Sequence, residues 1–321
     1  DCNITVDGTL HNAMSDGIRV DIHGNVWSAA AGGPGIDGVQ VFSPEGNYLR
    51  GWGERVIAKA HGIRVDHEGN LWLTDIGRHV VRKFTPQGKE LLVLGTPDQP
   101  GEDPTHFNQP TDVAIDPIHG DVFVSDGYGN NRVVVFDRLG RFLRAFGKKG
   151  TAPGEFQLPH AIALDSKGRV YVADRSNARI QVFDHEGAFL AQWANTVVPW
   201  GIWITPKDEV YVCGGGVPPP SPAQSVFARV GKALGAPAGV PPREQWVVLF
   251  QTDGQVRHRW SFPETADGHE HQPGALSWVH GITIDSKGSL YLGEIQGRRA
   301  QKFTLGSGGT TPTEPNFPPN R

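Results

Sequence analysis

Three histidines occupy the same place in a repeated phrase: His61-Gly-Ile-Arg-Val-Asp66, His160-Ala-Ile-Ala-Leu-Asp165 and His280-Gly-Ile-Thr-Ile-Asp285. Imidazole nitrogen suits Zn, Cu, Ni or Fe and is a poor ligand for Mg or Ca. One histidine in such a slot is usually structural. Three in the same repeat position are hard to obtain from packing alone. If the repeats form a ring, the imidazoles converge on its axis, which is the geometry of a three-histidine metal site with an open outer position. Zinc is the default ion, with another divalent transition metal as the substitute. Such an ion polarises a bound oxygen or lowers the pKa of a bound water or hydroxyl.

The elements that must position these histidines follow from the repeat. The same phrase recurs from Asp16, Thr111 and Trp200, giving six copies. After a short turn each copy continues into an apolar run, such as Leu71-Trp-Leu-Thr-Asp75, Val122-Phe-Val-Ser-Asp126 and Val170-Tyr-Val-Ala-Asp174. Spacings of about 40 to 50 residues fit four short strands per unit, which is a propeller blade. The predicted fold is therefore all-β, a six-bladed β-propeller forming one domain over residues 1–305. Strands A and B are nearly continuous apolar runs, as strands covered on both faces should be. Strand C (Val80–Phe84, Arg132–Phe136, Arg179–Phe183) alternates more and is expected on the outside. Strand D includes Glu90–Leu94 and Phe142–Phe146. The last copy lacks strand D, and Asn3–Leu10 is expected to supply it, closing the ring and removing the open edge. A Gly/Thr/Pro-rich tail, 306–321, reads as flexible.

The A–B and C–D turns are short and share one face. The D–A and B–C connections share the other and are long, as in Thr96–Gln109, Lys148–Leu158 and Ser261–Val279. Long loops at one end of a rigid scaffold are where binding and chemistry gather. The Pro-rich insert 216–243 leaves from this loop face and reads as a lid over the channel, or else as a packing or subunit contact. Around the mouth the strand-A slots read Asp16, His61, Thr111, His160, Trp200 and His280. The histidines fall on alternate blades, about 120° apart in a six-fold ring. Tyr128, on a B–C loop, is the candidate base, since a phenol beside a cation suits proton transfer. Arg175, in the equivalent loop of the next blade, would bind a carboxylate bidentately, or pair with Asp174. Asp16 lines the site as a general base or as an outer group orienting a ligand histidine. Thr111, Trp200 and Trp278 are candidate substrate contacts. Asp75, Asp126, Asp174 and Glu294 end strand B and read as caps on loop backbone N–H groups. His106, His269 and His271 read as solvated loop residues. His23, His67 and His119 lie in turns of the opposite face and are expected to take no part in chemistry.

Charge is balanced, with 30 Lys and Arg against 34 Asp and Glu, and no basic run suggests nucleic acid as a partner. No apolar stretch is long enough to span a bilayer. Cys2 and Cys213 are too few for a disulfide framework and read as two unpaired thiols. The start carries no secretory apolar region, which fits a cytosolic chain or a mature one with its signal removed. The expected setting is periplasmic or secreted. The expected partner is a small-molecule or peptide-derived substrate.

Several longer stretches are in register with a known family: Phe107-Asn-Gln-Pro-Thr-Asp-Val-Ala114, Val124-Ser-Asp-Gly-Tyr-Gly-Asn-Asn-Arg132, Gly154-Glu-Phe-Gln-Leu-Pro-His160, Ala173-Asp-Arg-Ser-Asn-Ala-Arg-Ile-Gln181, and Val279 through Leu305. Across them the chain resembles the peptidyl-α-hydroxyglycine α-amidating lyases, propellers of NHL-repeat type. The resemblance implies catalytic zinc on His61, His160 and His280, Tyr128 as base, and Arg175 lining the site. The family reaction splits an N-acyl hemiaminal into an amide and glyoxylate. The chain departs from the pattern in several places. The first blade, Ser28-Ala-Ala-Ala-Gly-Gly-Pro-Gly35, has no match to the family's second arginine. Trp278 replaces a methionine, and the family's disulfide positions are not cysteine. Gly281 replaces an acidic calcium ligand, so Ca²⁺ is not expected. The first blade, Ser15 through Pro44, resembles the gluconolactonase (regucalcin-like) propellers, where the aspartate matching Asp16 ligates a divalent metal. Three functions therefore stand side by side. The first is a zinc-dependent lyase breaking a C–N or C–O bond of a hydroxylated substrate. The second is a metal-dependent lactonase or esterase. The third is a non-catalytic scaffold binding a peptide or protein.

Overall fold

The computed structural model describes residues 17–29, 35–216, 245–262, 274–297 and 299–304. Within them lie five four-stranded antiparallel sheets and one three-stranded sheet, each ordered from the inside outwards as in the sequence. These are the six blades of a propeller. Their inner strands are Gly17–Val20, Ala60–Val65, Asp112–Ile115, Pro159–Leu164, Val198–Ile204 and Val279–Ile284. Each inner strand packs on the next, and Val279–Ile284 packs on Gly17–Val20, so the ring closes on the described residues themselves. The expected closing strand Asn3–Leu10, the insert 216–243 beyond Gly216 and the tail 306–321 lie outside the described residues.

The blades hold together through apolar layers between sheets. Ile63, Leu71 and Leu73 of blade two interleave with Trp27, Val39 and Val41 of blade one. Each fully buried side chain of this kind is worth about 1.5–3 kcal/mol of transfer free energy. Strand C differs from its expected place. Arg132–Phe136 and Arg179–Phe183 are buried throughout, and the exposed outer strand is D, as in Phe142–Phe146. The alternation in strand C has another cause: its polar side chains tie down the long loops. Arg132 donates to the carbonyls of His106 (2.8 Å) and Asp103 (3.1 Å). Arg179 donates to those of Glu155 (2.7 Å) and Thr151 (2.8 Å). Polar groups in a buried strand persist because these bonds satisfy them.

The acids ending strand B fix the entry of strand A. Asp75 accepts from the N–H groups of Ala58 and Lys59 (2.9 Å each), Asp126 from Asn108 (2.9 Å), Asp174 from Gln157 (2.7 Å) and Glu294 from Ser277 (2.7 Å). In blades two, four and six the pinned residues stand two or three positions before the histidine.

Below the mouth the channel has a floor. Arg64 pairs with Asp112 (2.9 Å) and donates to the carbonyls of Val113 (2.9 Å) and Ile162 (2.6 Å). Arg19 donates to the carbonyl of Ile282 (2.9 Å). Just above, the residues after the slots are small, apart from Asp112. A Cβ on Gly62 would stand 2.5 Å from Asp112 Oδ1, and one on Gly201 would stand 2.9 Å from the His280 carbonyl. Glycine there is what lets adjacent inner strands approach the axis.

Candidate metal centre

His61, His160 and His280 are each second in their inner strands, and all three are buried. Their ring centroids form a near-equilateral triangle of 4.6, 4.8 and 4.9 Å, with the planes close to perpendicular. One ligand nitrogen from each lies within 4.8 Å of the others. The orientation is set from the neighbouring odd-numbered blade. His61 Nδ1 lies 2.6 Å from the Thr111 carbonyl, and His160 Nδ1 lies 2.6 Å from the Trp200 carbonyl. A carbonyl oxygen only accepts, so each of these Nδ1 atoms carries the proton and each Nε2 presents a lone pair. Imidazoles with Nδ1 tied to a carbonyl and a lone pair on Nε2 form the donor set that a divalent transition ion takes.

The charge state agrees. Burial pushes the His61 imidazole down to about 4, with Arg175 and Lys59 adding to the effect and the Thr111 carbonyl opposing it. Burial likewise holds His160 well below the ordinary histidine range, helped by His280, His61 and Arg175. Neutral imidazole is the ligating form. A pH dependence follows for the metal-free protein. Between pH 6.5 and about 4 the unfolded chain holds a proton on His61 that the folded chain does not. Stability is therefore full above 6.5 and declines as the pH falls toward 4, by about 3 kcal/mol from His61 alone. Denaturant midpoints at pH 7, 5.5 and 4.5 should show this decline, and a His61→Gln variant should lose that share of it. A slope unchanged by the substitution would contradict the assignment.

Tyr128 and Arg175 complete the centre. The Tyr128 hydroxyl stands 2.9 Å from His61 Nε2 and 3.1 Å from His160 Nε2. Arg175 is buried, hydrogen bonded to the Tyr128 side chain, and stacked over the Trp200 ring at 5.5 Å. Burial lowers the Arg175 pKa from its ordinary value, and Tyr128 works the other way. Arg175 opens a short 3₁₀ turn, Arg175–Asn177. Asp174 does not pair with it, because that carboxylate is taken by Arg179 (2.8 Å) and Asn177 (2.7 Å).

Three expected substrate contacts are placed differently from one another. Thr111 is fully buried, and its hydroxyl is engaged with the carbonyls of Ser125 (2.9 Å) and Pro159 (2.7 Å), so no side-chain group is left for a ligand. What it gives the site is its carbonyl. Trp200 is also buried, offering a carbonyl to His160 and a ring face to Arg175. Trp278 is half-buried beside Trp200, 5.9 Å between rings, and is the one of the three with side-chain surface facing solvent. Asp16 lies outside the described residues, as do His269 and His271. His106 is clasped to Asp103 (2.9 Å) within its own loop. Cys213 is a buried free thiol. Sequence reasoning missed the backbone acceptors on the odd blades, which no side-chain type announces.

A family model described as DUF5128, a 6-bladed beta-propeller, matches residues 112–208. The solved virginiamycin B lyase from Staphylococcus aureus superposes with a TM-score of 0.58 over 92% of this chain and 97% of that one, at 12% identity, a likeness of fold alone. Peptidyl-alpha-hydroxyglycine alpha-amidating lyase 1 of Drosophila melanogaster is 38% identical over 160 residues, 46% of this chain and 29% of that protein. NHL repeat-containing protein 3 of Mus musculus is 31% identical over 301 residues, 89% of this chain and 78% of that protein. With six repeats, a closed ring and that match along most of both chains, the protein belongs to the NHL-repeat propeller family that includes NHL repeat-containing protein 3.

Proposed function

We propose that the chain is a metal-dependent lyase that breaks the C–N bond of an N-acyl hemiaminal bearing a carboxylate. The observation that carries this is the Tyr128 hydroxyl, held within hydrogen-bond distance of Nε2 on two of the three clustered imidazoles and bonded to Arg175. The amidating-lyase relative supports the same reading. His61, His160 and His280 would hold the ion, zinc before other divalent transition metals. Such an ion, when bound, supplies Lewis-acid stabilisation of negative charge on oxygen.

The chain's own groups do the rest. Arg175 is a cation in contact with Tyr128, and its planar fork suits the substrate carboxylate. The guanidinium lies over the Trp200 ring, a cation–π contact that supports it. Tyr128 Oη, as phenolate, takes the proton of the substrate hydroxyl. The α-carbon then becomes a carbonyl carbon, the C–N bond breaks, and its electron pair leaves on the amide nitrogen. Tyr128 returns the proton to that nitrogen, so the products are an amide and an α-oxo acid and no redox partner is needed. The ring of small residues leaves room at the axis above the buried Arg64–Asp112 pair.

The test is release of glyoxylate from an N-acyl-α-hydroxyglycine by the zinc-loaded protein, run beside hydrolysis of an aldonolactone. Glyoxylate release with kcat/KM above about 10⁴ M⁻¹s⁻¹, the lower end for natural substrates, is expected. Lactone opening without glyoxylate would replace this reading by a hydrolase, and inertness toward both would leave a binding scaffold.

A further inference from the structure

A second cluster of ligating groups lies at the other end of the propeller. Asp116, His119 and Asp121 belong to the A–B turn of blade three, and His185 to the C–D turn of blade four. One ligand atom each of Asp116, His119 and His185 lies within 4.8 Å of the others. Asp116 Oδ2 is 2.7 Å from His119 Nδ1 and 3.4 Å from His185 Nε2, and Asp121 Oδ2 is 3.5 Å from that same Nε2.

Comparison between blades shows that this turn is built differently. In blades one, two, four and six the matching aspartate accepts a hydrogen bond from a strand-B ring: Asp21 from Trp27 (3.0 Å), Asp66 from Trp72 (3.0 Å), Asp165 from Tyr171 (3.0 Å) and Asp285 from Tyr291 (3.1 Å). In blade three that ring is Phe123, which has no N–H or O–H to give. The turn is also one residue longer, spanning 116–121 where blade two has 66–70. The place of the missing donor is taken by two imidazoles. His185 packs on Phe123 with ring centroids 5.2 Å apart, and lies 5.2 Å from His119. The second independent observation is His185 Nε2 itself. It is buried and makes no hydrogen bond among the described residues, though two carboxylates face it.

We propose that Asp116, His119 and His185, with Asp121 beside them, form a second metal site for a divalent transition cation of the zinc class. Two imidazoles with two carboxylates make a nitrogen and oxygen set suited to such an ion rather than to Ca²⁺ or Mg²⁺. The lone pair it needs on His185 Nε2 requires the proton on Nδ1, where Glu186 Oε1 stands 3.2 Å away to accept it. Arg144 Nη2, 3.1 Å from Nδ1, competes for that atom in the opposite tautomer and keeps the His185 carbonyl as its other acceptor. The site joins two blades and takes no part in chemistry at the mouth.

The test is zinc stoichiometry after equilibrium dialysis, followed by elemental analysis, on the whole chain and on His185→Ala, His160→Ala and the double variant. About two equivalents are expected for the parent, about one for each single variant and none for the double. Zinc should also raise the melting temperature of His160→Ala but not of the double variant. If the axial reading fails and this one holds, the parent and His160→Ala each bind one equivalent and His185→Ala binds none. Equal zinc in the parent and in His185→Ala overturns the proposal. Should His185→Ala fail to fold, His119→Ala, at a side chain 63% exposed, reads the same loss.

Discussion

Replacing His160 by alanine is expected to empty the axial centre and to remove activity with it. The imidazole is buried, sits in the triangle of three, and is oriented by the Trp200 carbonyl. Two remaining nitrogens leave a divalent transition ion short of the three protein ligands usual for a catalytic site. Lewis-acid stabilisation is worth several kcal/mol, so hemiaminal cleavage should fall by about a thousandfold or more at tenfold per 1.36 kcal/mol. The substitution also leaves the Trp200 carbonyl without its donor, at a cost of about 1–3 kcal/mol of stability. Fold is therefore followed by circular dichroism alongside metal content and turnover. His106→Ala, in a loop clasped to Asp103, serves as the matched control and should change neither. A folded His160→Ala protein that still cleaves at the parental rate would remove the axial centre from the mechanism.

Tyr128→Phe should separate proton transfer from metal holding. The ring volume is kept and one oxygen is lost, so the bonds to His61, His160 and Arg175 disappear together. The imidazoles stay in place because their orientation comes from Nδ1 and the odd-blade carbonyls, not from Tyr128. Metal content should match the parent, while kcat falls by about 10²–10⁴, the usual contribution of a positioned acid–base group. Retained turnover would make Tyr128 a rim residue that only packs. Lost metal together with lost turnover would make it part of the ion's holding set.

Much of this was legible because a propeller writes its architecture as period. The six phrases from Asp16 to His280 and the paired apolar runs give blade number, strand order and the face bearing the long loops. The three histidines could be placed on one ring because slot and blade are both readable by counting. What the sequence hid is whatever depends on backbone or on contacts between blades. The carbonyls of Thr111 and Trp200 carry no residue-type signal, so Thr111 looked like a ligand contact when its hydroxyl was already committed to Ser125 and Pro159. The polar residues of strand C looked solvent-facing, whereas Arg132 and Arg179 spend their donors on loop carbonyls inside the fold. His119 looked idle in a surface turn because its neighbour His185 comes from another blade, 66 residues along the chain and one ring position over.

The arginine floor ties the blades together beneath the axial centre. Arg64 of blade two reaches carbonyls in blades three and four, and Arg19 of blade one reaches one in blade six, so the inner strands that carry the three histidines are riveted by buried guanidinium groups. The seats of His61 and His160 share one such rivet, and that of His280 is held by the other. Loss of either guanidinium would therefore loosen a histidine in a blade other than its own.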